Sequence, residues 1–173
     1  MNLIGQKINL RYPNPDDIDS ISKYAADEEI SHFTFIPHPY TRQHAVDFIE
    51  MATEDRKTLS SLHCGIAFKE TNEIIGMVGL NTINKTHNRA EIGYWLAKPF
   101  WGQGIMFDAV NMLTQYSFEK LNLIRLYAHV DPKNIGSWKL LEKAGYEREG
   151  LLRKAICMRG KMCDNYLYAK VVE

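Results

Sequence analysis

The sequence predicts an α/β fold, a mixed sheet flanked by helices, and three observations predict it. Period-two apolar runs alternate with helical periods in the order strand, two helices, three strands, helix, strand, helix, two strands. With 173 residues, 45% of them hydrophobic, the chain suits one domain, 1–173, with a two-layer core. No internal repeat, low-complexity stretch or linker interrupts that order.

Taken in order, residues 7–12 alternate well enough for a first strand, and Pro13-Asn14-Pro15 breaks it. Asp16-Asp17 opens a helix with Ile18, Ile21 and Ala25 inward. Residues 31–40 are too rich in proline for regular structure and too aromatic for an ordinary solvated loop. Their aromatics either plug the core or form one wall of a substrate pocket. Thr41 caps a second helix with Ala45, Phe48, Ile49 and Ala52 on one side.

Leu62–Phe68 reads as a strand, Glu70-Thr71-Asn72-Glu73 as a turn, and 74–83 as the returning strand. Residues 84–89 lead into a further strand over 90–96, which Lys98-Pro99 stops. A long helix follows, with Met106, Ala109, Val110, Leu113 and Ser117 on one face. Residues 123–130 alternate, Ile124, Leu126, Ala128 and Val130 against Arg125, Tyr127 and His129. Asn134 begins a short helix whose apolar face is Ile135, Trp138, Leu141 and Ala144, closed by Gly145. Two strands, 146–156 and 164–172, flank Arg159-Gly160-Lys161.

Composition excludes several function classes. Lys plus Arg and Asp plus Glu both number 21, so no global basic field draws the chain to nucleic acid or a membrane. No apolar run nears the roughly 20 residues of a membrane span. Residues 1–7 lack a signal peptide's apolar core, which makes a cytoplasmic location the expectation. Cys64, Cys157 and Cys163 form no metal spacing, although Cys157 and Cys163 sit where a hairpin would let them face each other. Free thiols are the expectation in a reducing compartment. The six histidines form no HxxxH or HExxH, so no metal site is expected.

The chemistry concentrates around Trp101-Gly102-Gln103-Gly104, which lies between a strand and a helix. Glycines let the backbone approach an anion, and unpaired N–H groups at the helix start point at it. A tight strand-to-helix turn is the alternative reading. The stretch resembles the acetyl-CoA loop of the GNAT superfamily of N-acetyltransferases: Val, four residues, Arg or Gln, two residues, Gly, one residue, Gly or Ala. Leu96, Trp101, Gly104 and Met106 take those places. Trp-Gly-Gln-Gly after Ile-Gly-Tyr-Trp-Leu is similar to the RimJ/RimL branch, which acetylates ribosomal-protein N-termini. A second block resembles the family's Asn-x-x-Ser/Ala…Glu-Lys-x-Gly-Phe/Tyr: Asn134, Ser137, Glu142-Lys143, Gly145 and Tyr146.

The resemblance covers essentially the whole chain. It implies a mostly antiparallel central sheet with splayed middle strands and acetyl-CoA as co-substrate. It places the cofactor on Tyr94, Trp95, Leu96, Trp101, Gly102, Gln103, Gly104, Ile105, Met106, Phe107, Asn134 and Ser137. Many relatives carry a tyrosine at the position of Leu141 that protonates the departing thiolate. Leucine cannot, and Ser137, one turn earlier, takes that role by resemblance.

An ammonium has no lone pair, so the amine must lose a proton before it attacks the thioester. Glu91 is the candidate base, or else a structural carboxylate paired with Arg89 or Arg125. Glu28, Glu29 and Glu149 are further carboxylates able to hold a cationic amine. Phe33, Phe35 and Tyr40 are the candidate acceptor contacts. A protein N-terminus is the favoured acceptor and a small amine the alternative, while a CoA-binding module without catalysis is a third reading. The same resemblance admits a homodimer.

Overall fold

The apolar run from Ile74 to Leu80 has no polar face, the pattern of a strand covered on both sides. In the computed structural model, which describes residues 1–172, it lies inside the sheet and is buried throughout. The strands are Asn2–Ile4 (β1), Ile8–Arg11 (β2), Leu62–Phe68 (β3), Ile74–Asn84 (β4), Arg89–Leu96 (β5), Arg125–Val130 (β6), Glu147–Met158 (β7) and Lys161–Val171 (β8). They form one eight-stranded sheet in the order β1-β2-β3-β4-β5-β6-β8-β7. Every neighbouring pair is antiparallel except β5 with β6.

That parallel pair holds three rungs, Arg89 with Arg125, Ala90 with Leu126 and Glu91 with Tyr127. Beyond them β5 stays paired with β4 as far as Leu96, and β6 stays paired with β8 as far as Val130. The sheet therefore opens between residues 92–96 and 128–130, the splay that the resemblance implies.

Helices cover both faces. Ile18–Ala25 (α1) and Arg42–Thr58 (α3) bury Ile21, Ala45 and Ile49 against Ile74 and Met77. Ile105–Leu121 (α4) and Ile135–Lys143 (α5) lie over the larger core, where Met106, Ala109, Val110, Leu113 and Leu141 meet Ile92, Leu96, Leu126 and Ala128. Thr41 caps α3 as its sequence suggests: its Oγ1 accepts from the His44 N–H, and His44 Nδ1 accepts from the Thr41 N–H. Arg11 fastens the first turn of the chain, with two 2.7 Å bonds to Asp17 and a 3.0 Å bond to the Asn72 carbonyl.

Several expectations need correction. β1 and the five-residue helix Glu28–His32 (α2) carry too few residues to show a period. The prolines therefore do not keep Ser31 and His32 irregular, because Asp27 caps their helix by accepting from the Glu29 N–H. Ile124 and Ile135 are both 54% exposed rather than inward: one precedes the β6 ladder and the other opens α5 toward a cleft. Cys157 and Cys163 do not face each other. They sit opposite Met162 and Ile156 on successive rungs, and both thiols are free. Among the described residues no helix is long and apolar enough to cross a membrane.

A buried polar tie joins α4 to the chain after α5. Thr114 Oγ1 and the Tyr146 hydroxyl lie 2.7 Å apart, and burial pushes the Tyr146 phenol up to about 12. Thr114→Val keeps the volume but strands that hydroxyl, so stability should fall by about 1–3 kcal/mol in urea unfolding. A loss below about 0.3 kcal/mol would mean the bond does not hold the two elements together.

Candidate active site

Two cavities meet at the splay. The first, about 930 Å³, runs from β5 over the glycine loop to α5. Gly102 and Gly104 have φ of +73° and +78°, a conformation in which glycine avoids the side-chain penalty. Gly104 stands where an N-cap would and supplies no side chain, so the first N–H groups of α4 are left to face the cavity. Those amides, the positive end of α4, and Lys133, Lys139 and Lys143 on the cavity wall make an anion cradle. Of the cofactor contacts expected from sequence, all line this cavity except Gln103, whose amide turns back to donate to the Pro99 carbonyl at 2.9 Å.

The other expected residues have defined duties. Trp101 Nε1 donates to the Leu96 carbonyl at 2.6 Å, which folds the loop back on the end of β5. Met106 is 7% exposed and packs into the core, so its bulk lies under the loop. Asn134 Oδ1 accepts from the Ser137 N–H at 3.2 Å, capping α5 and leaving the amide NH2 beside the cleft. Lys133 and Lys139 were missed by sequence reasoning, and Lys143 was named only within its motif, although the four-residue spacing of Lys139 and Lys143 puts them on one helix face.

The second cavity, about 870 Å³, opens on the other side of the same junction. Phe33, Phe35 and Tyr40 all line it, but unequally. Phe35 is 72% exposed, whereas Tyr40 packs on the α1–α3 core and burial pushes its phenol up to about 12. Plug and wall are thus divided between residues of one loop. The tip of the β7–β8 hairpin fixes that loop, since Arg159 donates to the Ser31 carbonyl and, at 3.4 Å, to the Ile36 carbonyl. Asn165, 6% exposed, also lines the cavity.

Tyr94 and Ser137 line both cavities, and their hydroxyl oxygens lie 2.9 Å apart. Burial holds the Tyr94 phenol above its ordinary value, so it stays protonated at neutral pH and can donate to Ser137 Oγ. The serine proton is then free for a third atom. Leu141 is fully buried, away from this junction. Glu91 faces the second cavity and pairs with neither Arg89 nor Arg125. Its Oε1 lies 2.7 Å from His129 Nδ1, while Arg125 is held by Glu149 at 2.6 and 2.5 Å. Glu29 forms an ion pair with Lys98, and Glu28 lies in α2. Among the described residues no three His, Cys, Asp or Glu side chains are placed to hold a metal.

Comparison with known proteins fits this geometry. The acetyltransferase (GNAT) domain family matches residues 7–147. The chain is 36% identical over 168 residues to a Bacillus licheniformis protein named "uncharacterized N-acetyltransferase p20", covering 96% of this chain and 94% of that one. It is 30% identical over 135 residues to the ribosomal-protein-serine acetyltransferase of Escherichia coli K12, covering 73% and 75%. The solved structure of the microcin C7 self-immunity acetyltransferase MccE, in complex with acetyl-CoA and AMP, superposes with a TM-score of 0.87 at 26% identity, covering 97% and 94%. A glycine loop opening α4, a parted strand edge and a part-buried hydroxyl pair between two cavities are compatible with acetyl transfer from a thioester, and the chain belongs to the GNAT family as an acetyl-CoA-dependent N-acetyltransferase.

Proposed function

We propose that the chain, folded as one domain over residues 1–173, acetylates the α-amino group of a protein N-terminus by direct attack in a ternary complex. The observation that carries this reading is the junction of the two cavities at Tyr94 and Ser137. Acetyl-CoA occupies the first cavity, with its phosphates on the amides of Ile105, Met106 and Phe107. Its pantetheine arm lies along the open edge of β5 and beside Asn134, paired as an added strand would be. The thioester then reaches the junction, where the acceptor arrives from the opposite side.

Ser137 donates a hydrogen bond to the sulfur as negative charge develops there, and Tyr94 orients that hydroxyl. Glu91 and His129, hydrogen-bonded to each other, form the proton-accepting end of the acceptor cavity. An aromatic wall at Phe33, Phe35 and Tyr40 suits a peptide chain behind the amine better than a polyamine, which calls for a row of carboxylates. The similarity to a ribosomal-protein-serine acetyltransferase supports the same acceptor class.

Acetyl-CoA should bind in the micromolar range, about −8 kcal/mol. Gly104→Glu should abolish that binding, because the variant forces a side chain and a like charge against the phosphates. Undiminished affinity by calorimetry in the folded variant would sink the cradle assignment. Ser137→Ala should lower kcat about 10²-fold with a much smaller change in the KM for acetyl-CoA, and Tyr94→Phe should lower it about tenfold. An equal loss in cofactor affinity would reduce Ser137 to a binding contact. Phe35→Ala should raise the acceptor KM about tenfold, leave acetyl-CoA affinity alone and shift stability by no more than about 0.5 kcal/mol. Acceptor class is read by thiol release with N-terminal peptides and with spermidine. Efficient turnover of spermidine with none of the peptides would overturn the protein N-terminus.

A further inference from the structure

The carboxylate that sequence reasoning selects as base is already engaged. Glu91 belongs to the last rung of the β5–β6 ladder, opposite Tyr127, and its Oε1 lies 2.7 Å from His129 Nδ1. His129 is the next residue of β6 to project on the same side as Tyr127, just where the strands have parted. The Glu91–His129 contact therefore spans the mouth of the splay. Both side chains line the acceptor cavity together with Tyr94 and Ser137, His129 being 24% exposed and Glu91 29%. With Nδ1 committed to Glu91, Nε2 is the ring nitrogen that no described residue bonds.

We propose that His129 Nε2 is the atom that takes the proton from the incoming ammonium, with Glu91 as its positioning residue. This rests on the reading of the second cavity as the acceptor site and deepens it. In the neutral ring, a proton on Nδ1 donates to the Glu91 carboxylate, which leaves a lone pair on Nε2. The ammonium N–H bond breaks as the Nε2–H bond forms. The neutral amine then attacks the thioester carbonyl, the C–S bond breaks, and the thiolate leaves. Two protons depart from the nitrogen: one passes through His129 to solvent, and the other ends on the CoA sulfur at the Ser137 side.

The surroundings suit a base working near neutrality. Hydrogen bonding to Glu91 raises the His129 imidazole above its usual value, partly opposed by burial. On its own strand Tyr127 meets the ring edge-on at 5.7 Å, with Arg89 and Arg125 each 6.0 Å from the Tyr127 ring, and Asp131 follows. From β5 come Glu91 and Tyr94, from α2 and its loop His32 and Tyr40. The other titratable groups on the cavity wall are His44 and Asp47 of α3, His63 of β3 and Cys163 of β8. Burial lowers His63, so it stays neutral where His129 begins to release its proton.

Two measurements test this. Ring-nitrogen NMR of the protein alone should show the neutral His129 as the Nδ1–H tautomer, with a midpoint above 6.5 that falls in Glu91→Gln. Finding the Nε2–H tautomer above pH 8 would overturn the assignment. The pH dependence of kcat/KM, taken with whichever amine is turned over, should carry the His129 ionisation in the wild type. His129→Gln should lose that inflection and about 10²-fold in rate at pH 7, leaving only the acceptor's own ionisation near 8. Glu91→Gln should keep the inflection, displaced to lower pH. If His129→Gln keeps both rate and inflection while Glu91→Gln loses them, Glu91 itself is the base. Turnover of small amines only would defeat the peptide reading and leave this test intact, because neither readout depends on the acceptor class.

Discussion

The parting of β5 from β6 is a problem in hydrogen-bond accounting. Every buried N–H and C=O needs a partner, and opening a sheet removes partners from both lips at once. Here the opening is confined to one parallel ladder, and each lip keeps its outer neighbour: β5 stays on β4 and β6 on β8. The sheet therefore survives as two antiparallel parts joined by three rungs, with the core of α4 packed beneath both. What remains unpaired on β5 is one edge, and Trp101 satisfies the carbonyl at its end. That exposed edge, the two cavities and the hydroxyl pair between them all depend on the ladder stopping after Glu91.

Much of this was legible in the residues. Leu62–Phe68 has the same limits in sequence and structure, and β4 and β5 each differ by one residue at one end, because apolar runs bounded by turn residues leave few alternatives. Asn134 at a helix mouth and the glycines before α4 carry their own local chemistry, so they too could be read directly. Ile135 was misread because periodicity marks an apolar residue without saying what will cover it. It lines the first cavity instead of packing on the sheet. The pairings were harder still. Ser137 meets Tyr94 across 43 residues and His129 meets Glu91 across 38, and both follow from strand order rather than from any neighbouring residue. Arg125 looked available to Glu91 only until Glu149 on β7 was placed beside it.

The two cavities are built from different materials. The first cavity, proposed for the cofactor, offers backbone amides, a helix end and lysines, groups suited to phosphate whatever side chains surround them. The second cavity, proposed for the acceptor, is lined by residues from many elements, among them the 31–40 loop, α3, β3, β5, β6 and the β7–β8 hairpin. Sequence motifs report the first kind of surface well and the second hardly at all. That is why the donor was readable at once and the acceptor had to be argued from shape and charge.

Arg159 gives that difference a further meaning. Its guanidinium holds the 31–40 loop by the carbonyls of Ser31 and Ile36, atoms that every amino acid possesses. An anchor of that kind fixes where the loop runs without constraining which residues it displays. Neither contact involves the side chains of Phe33 or Phe35. The hairpin tip thus tethers the loop at two points of its backbone, whatever side chains the loop carries.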